Sequence, residues 1–183
     1  MVLGRGYETG TSELPGKTGL TGTMISAVDL LKGIAVGAGM TVATVEGATG
    51  SLDTNYRGKA EAAANALLKD GHDFAYIHIE APDEMGHQGN TAHKVQSIEE
   101  IDKNVICVVK EALDRAGECY RILILPDHPT PICKRTHTSD PVPYLLYDSS
   151  SPMGKPTIFS EKTAAATGIF QPDGYRLIEM LIK

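Results

Sequence analysis

The sequence predicts an α/β fold in which a mainly parallel β-sheet is covered by helices on both faces. Short runs of apolar and β-branched residues alternate with longer segments of helical periodicity from residue 23 onward. Such alternation builds βαβ units, whose strands are parallel and whose crossovers are right-handed. The chain has 183 residues, of which 42% are hydrophobic, so it is long enough to bury one core.

The first half of this region alternates strands and helices in a regular order. A strand at 23–28 leads into a helix at 29–39 and a second strand at 41–45. A loop containing glycine follows, and the next segment, 56–69, is rich in alanine, which favours a helix. The third strand, 73–79, is almost wholly apolar or aromatic.

The second half begins with the longest predicted element. Apolar residues of segment 91–116 recur close to every 3.6 positions, which indicates an amphipathic helix that ends at Gly117. Two more strands, 120–125 and 142–147, are followed by a loop of Gly, Ser and Pro and a last helix at 172–182.

Composition and charge argue against several classes of function. The net charge is -6 without a basic run, which argues against nucleic acid or an anionic membrane as partner. No stretch reaches the roughly 18 apolar residues of a membrane span, and no basic segment precedes an apolar one at the start. The three cysteines, Cys107, Cys119 and Cys133, form no CxxC pair, and their odd number suits a protein of a reducing compartment. We therefore expect a cytoplasmic protein.

Three short segments carry side chains suited to chemistry. Segment 81–87 follows the third strand, segment 125–128 ends the fourth, and segment 136–143 leads into the fifth. Ligands of open parallel sheets bind at the carboxyl ends of the strands, so we expect these segments to converge although they are far apart in sequence.

Their side chains form a mixed set of oxygen and nitrogen ligands. Asp83 and His87 are four residues apart and share a face if the segment is helical. Asp127 and His128 are adjacent at a strand end, and His137 adds a third imidazole. The set suits Zn²⁺ or Mn²⁺ better than Ca²⁺. Five ligands are too many for one tetrahedral ion and too few for two complete sites, so we predict a two-metal site with further ligands elsewhere. The remaining three histidines are interpreted as structural: His72, His78 and His93.

These segments resemble the metal-binding motifs of a known enzyme family. The strings APDEMGH at 81–87, LPDHPTP at 125–131 and RTHTSDPVP at 135–143 are similar to those of the 2,3-bisphosphoglycerate-independent phosphoglycerate mutases, and most of all to their archaeal-type branch. The similarity continues into 25–34 and 45–56 in the same order. It implies part of the alkaline phosphatase-like core of that superfamily.

The resemblance also implies a role for each candidate ligand. By position in the motifs, Asp83, His87 and His137 would hold one metal ion, and Asp127 and His128 would hold part of the second. In this family an aspartate near the N-terminus and a nucleophilic serine complete the second site.

The implied reaction is the interconversion of 2-phosphoglycerate and 3-phosphoglycerate, a step of glycolysis, through a phosphoserine intermediate. Two divalent ions, Mn²⁺ or Zn²⁺ with Mg²⁺ as the alternative, would support this phosphoryl transfer. Lys32, which follows Asp29 in the first helix, is a candidate for contact with the substrate phosphate, and a solvated lysine is the alternative interpretation.

The sequence departs from the family in its first part. It has no strand ending in the expected aspartate, no serine in the nucleophile context and no inserted cap domain. We therefore interpret residues 1–22 as a connector from a missing cap and residues 23–183 as the C-terminal portion of the metal-binding core. Such a chain is expected to be inactive alone, and to pair with an N-terminal fragment or form a homo-oligomer.

Two alternatives stay open at this point. Another phosphatase, phosphonate hydrolase or sulfatase of the alkaline phosphatase superfamily could use the same ligands. A non-catalytic metal-binding domain would also fit a chain that lacks the serine.

Overall fold

The computed structural model describes residues 16, 18–152 and 158–182, which form two units. The first unit comprises Met1–Met85 and Thr91–Ala116, and the second comprises Gly86–Asn90 and Gly117–Lys183. Most of the predicted connector, residues 1–15 and 17, lies outside the described residues. The predicted division at residue 22 therefore stays a prediction.

The first unit is built on a three-stranded parallel sheet. Strands β1 (Gly22–Ile25), β2 (Thr41–Val42) and β3 (Phe74–Ile77) lie in the order β2-β1-β3. All of β1 is buried, in agreement with its place at the centre of the sheet. The parallel pairing confirms the predicted α/β fold class.

Two helices cover opposite faces of this sheet. Helix α1 (Asp29–Gly37) connects β1 to β2, and helix α2 (Tyr56–Leu68) connects β2 to β3. The two crossovers run in opposite directions across the sheet, so right-handed connections place the helices on different faces. The side chain of Asn55 caps α2 by accepting a hydrogen bond from the amide of Gly58, at 2.8 Å.

The segment 91–116, predicted as one long helix, is helical throughout but contains an irregular turn. It consists of α4 (Thr91–Ile101), a π-helical turn (Asp102–Ile106) and α5 (Cys107–Ala116). The extra residue of a π turn rotates the next helical segment about the helix axis, so the apolar stripe does not stay on one face. Val95 and Ile98 are about half exposed, whereas Val105 inside the turn is buried.

Val105 belongs to the core of the first unit. It packs with Tyr56 and Ala60 of α2 and with Ala81, the first residue of the short helix α3 (Ala81–Gln88). At its end, α5 stops at Gly117, whose φ of 74° is accessible to glycine at little cost.

The second unit contains an antiparallel pair of strands. Strand β4 (Arg121–Ile124) pairs with β5 (Leu145–Asp148), so the predicted fifth strand runs antiparallel to the fourth. The Arg121 guanidinium donates to the Asp148 carboxylate across this pair, at 2.7 Å. Hydrogen bonds from the Ser150 hydroxyl and from Arg121 lower the pKa of Asp148 to about 2.

Two helices complete the second unit. Helix α6 (Glu161–Ala166) begins with a capping box formed by Ser160 and Thr163, in a region that the sequence predicts to be loop. The predicted C-terminal helix is a 3₁₀ turn (Gly174–Arg176) followed by α7 (Leu177–Leu181). Among the helices of the described residues, none combines the length and the apolar character that a membrane span requires.

Candidate metal centre

The first predicted motif forms a helix with two functional faces. Ala81 and Met85 are buried, and they lie one turn apart on the side of α3 that faces the core. Asp83 and His87 have the same spacing but are displaced by two positions, which is about 200° around a helix. Their carboxylate and imidazole therefore project from the opposite face. The segment is helical, so Asp83 and His87 share a face as the sequence predicts. Both side chains are partly exposed.

A backbone carbonyl fixes the tautomer of His87. The Nδ1 atom of His87 lies 3.0 Å from the carbonyl oxygen of Arg135, which can only accept, so Nδ1 carries the proton. The Nε2 lone pair of the neutral ring is then available to a metal ion. Arg135 has a φ of 53°, which is uncommon for a residue with a side chain and follows the turn begun at Pro131. This conformation aims the carbonyl at His87.

The second imidazole of this pair belongs to His137. Its Nε2 atom lies 3.1 Å from Nε2 of His87. Two nitrogens bound tetrahedrally to one Zn²⁺ at 2.0–2.1 Å would be about 3.3 Å apart. The two atoms thus have nearly the separation that a shared ion requires, and the donor set fits a divalent cation.

His128 joins the same cluster of rings. It stacks on His137 with 3.6 Å between ring centroids. The carboxylate of Asp127 lies 3.4 Å from Nε2 of His128, and the hydroxyl of the buried Thr130 lies 3.3 Å from its Nδ1. Asp127 and His128 therefore present an oxygen and a nitrogen at adjacent positions, as a second ion would require.

The structure thus brings together His87, His128 and His137 in the second unit, with Asp127 beside His128. Asp83 is placed relative to them by its position one turn before His87 on α3. That these five side chains bind metal stays a prediction, because geometry alone does not demonstrate an ion.

Lys32 lies on α1 of the first unit. Its ammonium forms an ion pair with Asp29, at 3.1 Å, one turn earlier on the same helix. This contact agrees with the alternative interpretation of a solvated helix-face lysine, and a role in substrate binding stays a prediction. Two of the histidines interpreted as structural bond within the first unit: His72 Nε2 is 3.1 Å from the Thr41 hydroxyl, and His78 Nδ1 is 3.4 Å from the Ser26 hydroxyl.

Sequence analysis missed one charged pair near the first motif. Lys59 is only 1% exposed, and burial lowers the pKa of its ammonium. Burial, followed by the charges of Glu84 and Asp83, raises the pKa of the nearby Glu80 carboxyl. The buried positions of α2 follow the helical period, and Lys59 lies within that buried stripe. This spacing is the signal that could have identified it.

Comparison with known proteins agrees with these observations. A phosphoglycerate mutase of the 2,3-bisphosphoglycerate-independent type from Methanothrix thermoacetophila is 48% identical over 164 residues, which are 90% of this chain and 41% of that protein. The same type of enzyme from Methanosarcina acetivorans is 42% identical over 184 aligned residues, covering 100% of this chain and 46% of that protein. The chain therefore spans less than half the length of these curated relatives.

The fold is also found in a solved structure. A protein of Pyrococcus horikoshii matches 93% of this chain with a TM-score of 0.78 and 30% sequence identity, and this chain covers 50% of it. Residues 5–171 match the family described as the Metalloenzyme superfamily. These matches confirm the alkaline phosphatase-like α/β core and the resemblance seen in the motifs. The family also implies the use of a divalent metal, which agrees with the donor set of the histidine cluster. The chain belongs to the Metalloenzyme superfamily.

Proposed function

We propose that this chain supplies metal ligands to a 2,3-bisphosphoglycerate-independent phosphoglycerate mutase, which interconverts 2-phosphoglycerate and 3-phosphoglycerate in glycolysis. The observation that carries the proposal is the approach of His87 Nε2 to His137 Nε2, at 3.1 Å, from two motifs fifty residues apart. The names of the relatives support the choice of reaction. The cytoplasmic location expected from the sequence belongs to the same proposal.

The ligands divide into two groups. Asp83, His87 and His137 would hold one divalent ion, and Asp127 with His128 would hold part of a second. When bound, two such ions neutralise the charge of a phosphoryl group during its transfer. Imidazole nitrogens favour Zn²⁺ and the carboxylates also suit Mn²⁺, so we propose one of these two, with Mg²⁺ as the alternative.

Other residues of the chain would orient these ligands. The carbonyl of Arg135 holds the proton of His87 on Nδ1, and the Thr130 hydroxyl contacts Nδ1 of His128. The first contact leaves the Nε2 lone pair of His87 for an ion, and the second would do the same for His128 when its Nδ1 donates to the hydroxyl. We assign contact with the substrate phosphate to Lys32, and the nucleophilic serine to polypeptide that the relatives carry outside the matched part.

Metal content tests the ligand assignment. Wild-type protein, Asp127→Ala and His137→Ala are dialysed against Zn²⁺ or Mn²⁺ and the bound metal is measured by elemental analysis. Each variant should bind less metal than wild type. His72→Gln is the control, since His72 bonds to Thr41 outside the cluster and its loss should leave metal content unchanged. Unchanged content in both ligand variants would contradict the site.

Activity tests the reaction class. The chain is co-expressed with the part of the Methanothrix thermoacetophila enzyme that lies outside the match, and conversion of 3-phosphoglycerate to 2-phosphoglycerate is measured. We expect turnover in the pair and none in the chain alone. Hydrolysis of an aryl phosphate without mutase turnover would favour another phosphatase, and an inactive pair that binds metal would favour a non-catalytic domain. A homo-oligomer, if formed instead, would be visible by light scattering.

A further inference from the structure

The largest fully buried side chain among the described residues is a lysine. Lys59 lies near the N-terminal end of α2, on its alanine-rich buried face, and is 1% exposed. Removing a charged ammonium from water is costly unless hydrogen bonds and a counter-charge compensate for the lost solvation. Alanine or leucine at this position would satisfy the core, so we look for a specific role of the ammonium in its contacts.

The contacts of Lys59 show what that role involves. Its Nζ atom donates to the carbonyl oxygen of Thr49, at 3.3 Å, and to that of His78, at 3.4 Å. The first carbonyl belongs to the loop after β2 and the second to the residue that follows β3. Glu80, whose charge acts on Lys59, supplies the opposite charge. Lys59 thereby joins two strand-end segments at the edge of the sheet where α/β proteins bind ligands.

Glu80 connects this cluster to the first metal motif. Its carbonyl oxygen accepts the amides of Asp83, at 2.9 Å, and Glu84, at 3.2 Å, and so forms the first turn of α3. Its carboxylate lies so close to Gly50 that a Cβ atom there would overlap it. The segment that enters α3 thus receives the Lys59 ammonium at the carbonyl of His78, and the Glu80 carboxylate lies against Gly50.

We propose that Lys59 is a positioning residue for the metal site on α3. By its hydrogen bond to the carbonyl of His78, and with Glu80 as the nearby opposite charge, it fixes the start of the helix that carries Asp83 and His87, and so sets the affinity of these ligands for a divalent ion. The inference rests on the proposed function. It assigns to Lys59 an effect on metal affinity that is exerted through Glu80 and the backbone.

Electrostatics alone predicts the opposite effect, which makes the proposal testable. A lysine near a cation site repels the cation, so its removal would tighten metal binding if charge were its only contribution. Removal should weaken binding if Lys59 acts by positioning, because residues that orient metal ligands typically change affinity by 10–100-fold when lost. The sign of the change in affinity therefore separates the two explanations.

The main variant is Lys59→Met, which keeps most of the length of the side chain and removes the ammonium. We expect Zn²⁺ or Mn²⁺ affinity, measured by titration calorimetry, to fall about tenfold or more. The visible spectrum of the Co²⁺-loaded protein should also change, because it reports the ligand geometry. In metal-free protein, hydrogen exchange of the first amides of α3 should become faster. Lys69→Met, at the exposed end of the same helix, is the matched control and should behave as wild type.

A second variant covers the case in which Lys59→Met does not fold. Gly50→Ala keeps the lysine and displaces the Glu80 carboxylate from the loop side. It should weaken metal binding and speed exchange in the first turn of α3. The inference is overturned if folded Lys59→Met binds metal with wild-type or higher affinity and shows wild-type exchange. If Lys59→Met does not fold, the same result in Gly50→Ala overturns it. Wild-type protein that binds no metal would refute the proposed function and with it the effect on affinity, whereas faster α3 exchange in the variants would still support the positioning of α3 by Lys59.

Discussion

Replacing Gly89 by alanine tests how the end of α3 is coupled to the histidine cluster. Gly89 follows the helix with a φ of 70°, and its amide bonds to the carbonyl of Gly86 at 3.1 Å. A Cβ atom at this position would lie 2.5 Å from Nε and 2.8 Å from Cζ of Arg135. The substitution therefore pushes the Arg135 side chain, and Arg135 is the residue whose carbonyl holds His87.

Two costs of this substitution can be separated with a matched control. An alanine forced into the left-handed region costs about 1–2 kcal/mol. Gly117→Ala incurs the same cost, since Gly117 has a φ of 74°, but its Cβ would meet no atom within 4 Å. For a chain of this size, about 1 kcal/mol corresponds to roughly 2–4 °C in Tm. Both variants should therefore melt about 2–8 °C below wild type.

Metal affinity should distinguish the two variants. If displacement of the Arg135 side chain carries its backbone along, the carbonyl that orients His87 moves, and loss of such an orienting contact lowers metal affinity by about 10–100-fold. We expect this loss, measured by Zn²⁺ titration, in Gly89→Ala and wild-type affinity in Gly117→Ala. Equal affinities in the two variants, both with lowered Tm, would refute the coupling between Arg135 and His87.

Three further predictions concern single contacts. Tyr56→Phe should leave the free energy of unfolding unchanged or raised at pH 7, because the buried hydroxyl has no hydrogen-bond partner among the described residues. Burial, followed by the charges of Glu100 and Asp53, raises the pKa of Tyr56 to about 12. The wild-type free energy of unfolding should therefore fall by up to about 2–3 kcal/mol as the pH rises from 10 to 12, and that of Tyr56→Phe should not. Urea titrations at each pH measure this difference. Thr130→Val should lower the affinity of the second metal by about tenfold or more, since it removes the hydroxyl beside His128 Nδ1; an unchanged second step in the titration would contradict this role. Zn²⁺ at 100 times its dissociation constant should add about 2.7 kcal/mol to the stability of wild type, and a similar rise in Tm of His137→Ala would argue against His137 as a ligand.

The fold of the first unit could be predicted because its signals are local. β1 and β3 are short apolar runs, and each is followed by a segment of helical period, so their type and order follow from the sequence. The four-residue spacing of Asp83 and His87 also predicts their shared face once the segment is helical. Each of these inferences depends only on residues close together in the chain.

The features that sequence analysis did not specify depend on tertiary contacts or on very short elements. The π turn at Asp102–Ile106 adds one residue to a helix whose sequence continues the apolar pattern. Within this turn, Val105 packs against Tyr56. The antiparallel direction of β5 depends on pairing with β4, whose partner residues are 21–27 positions away. Helix α6 is only six residues long, and its capping box is the one local signal for it.

In the candidate site, a similar division separates the ligands, which the sequence could identify, from the groups that orient them, which it could not. Residue types identified the ligands, because carboxylates and imidazoles are the side chains that bind such ions. Their supports are largely backbone atoms: the carbonyl of Arg135 orients His87, and the carbonyls of Thr49 and His78 receive Lys59. Every residue has a carbonyl, so a motif gives no indication of which one points at a ligand.

This division leads to a prediction about Arg135 itself. If its carbonyl and not its side chain orients His87, Arg135→Gly should keep wild-type Zn²⁺ affinity, since glycine adopts a φ of 53° without strain. Arg135→Val should lose affinity, because a β-branched residue resists that conformation. The double variant Gly89→Ala/Arg135→Gly should regain the affinity lost in Gly89→Ala, since the displaced side chain is gone. Weak binding by Arg135→Gly in titration calorimetry would show that the guanidinium contributes directly, and the carbonyl could not then account for the position of His87.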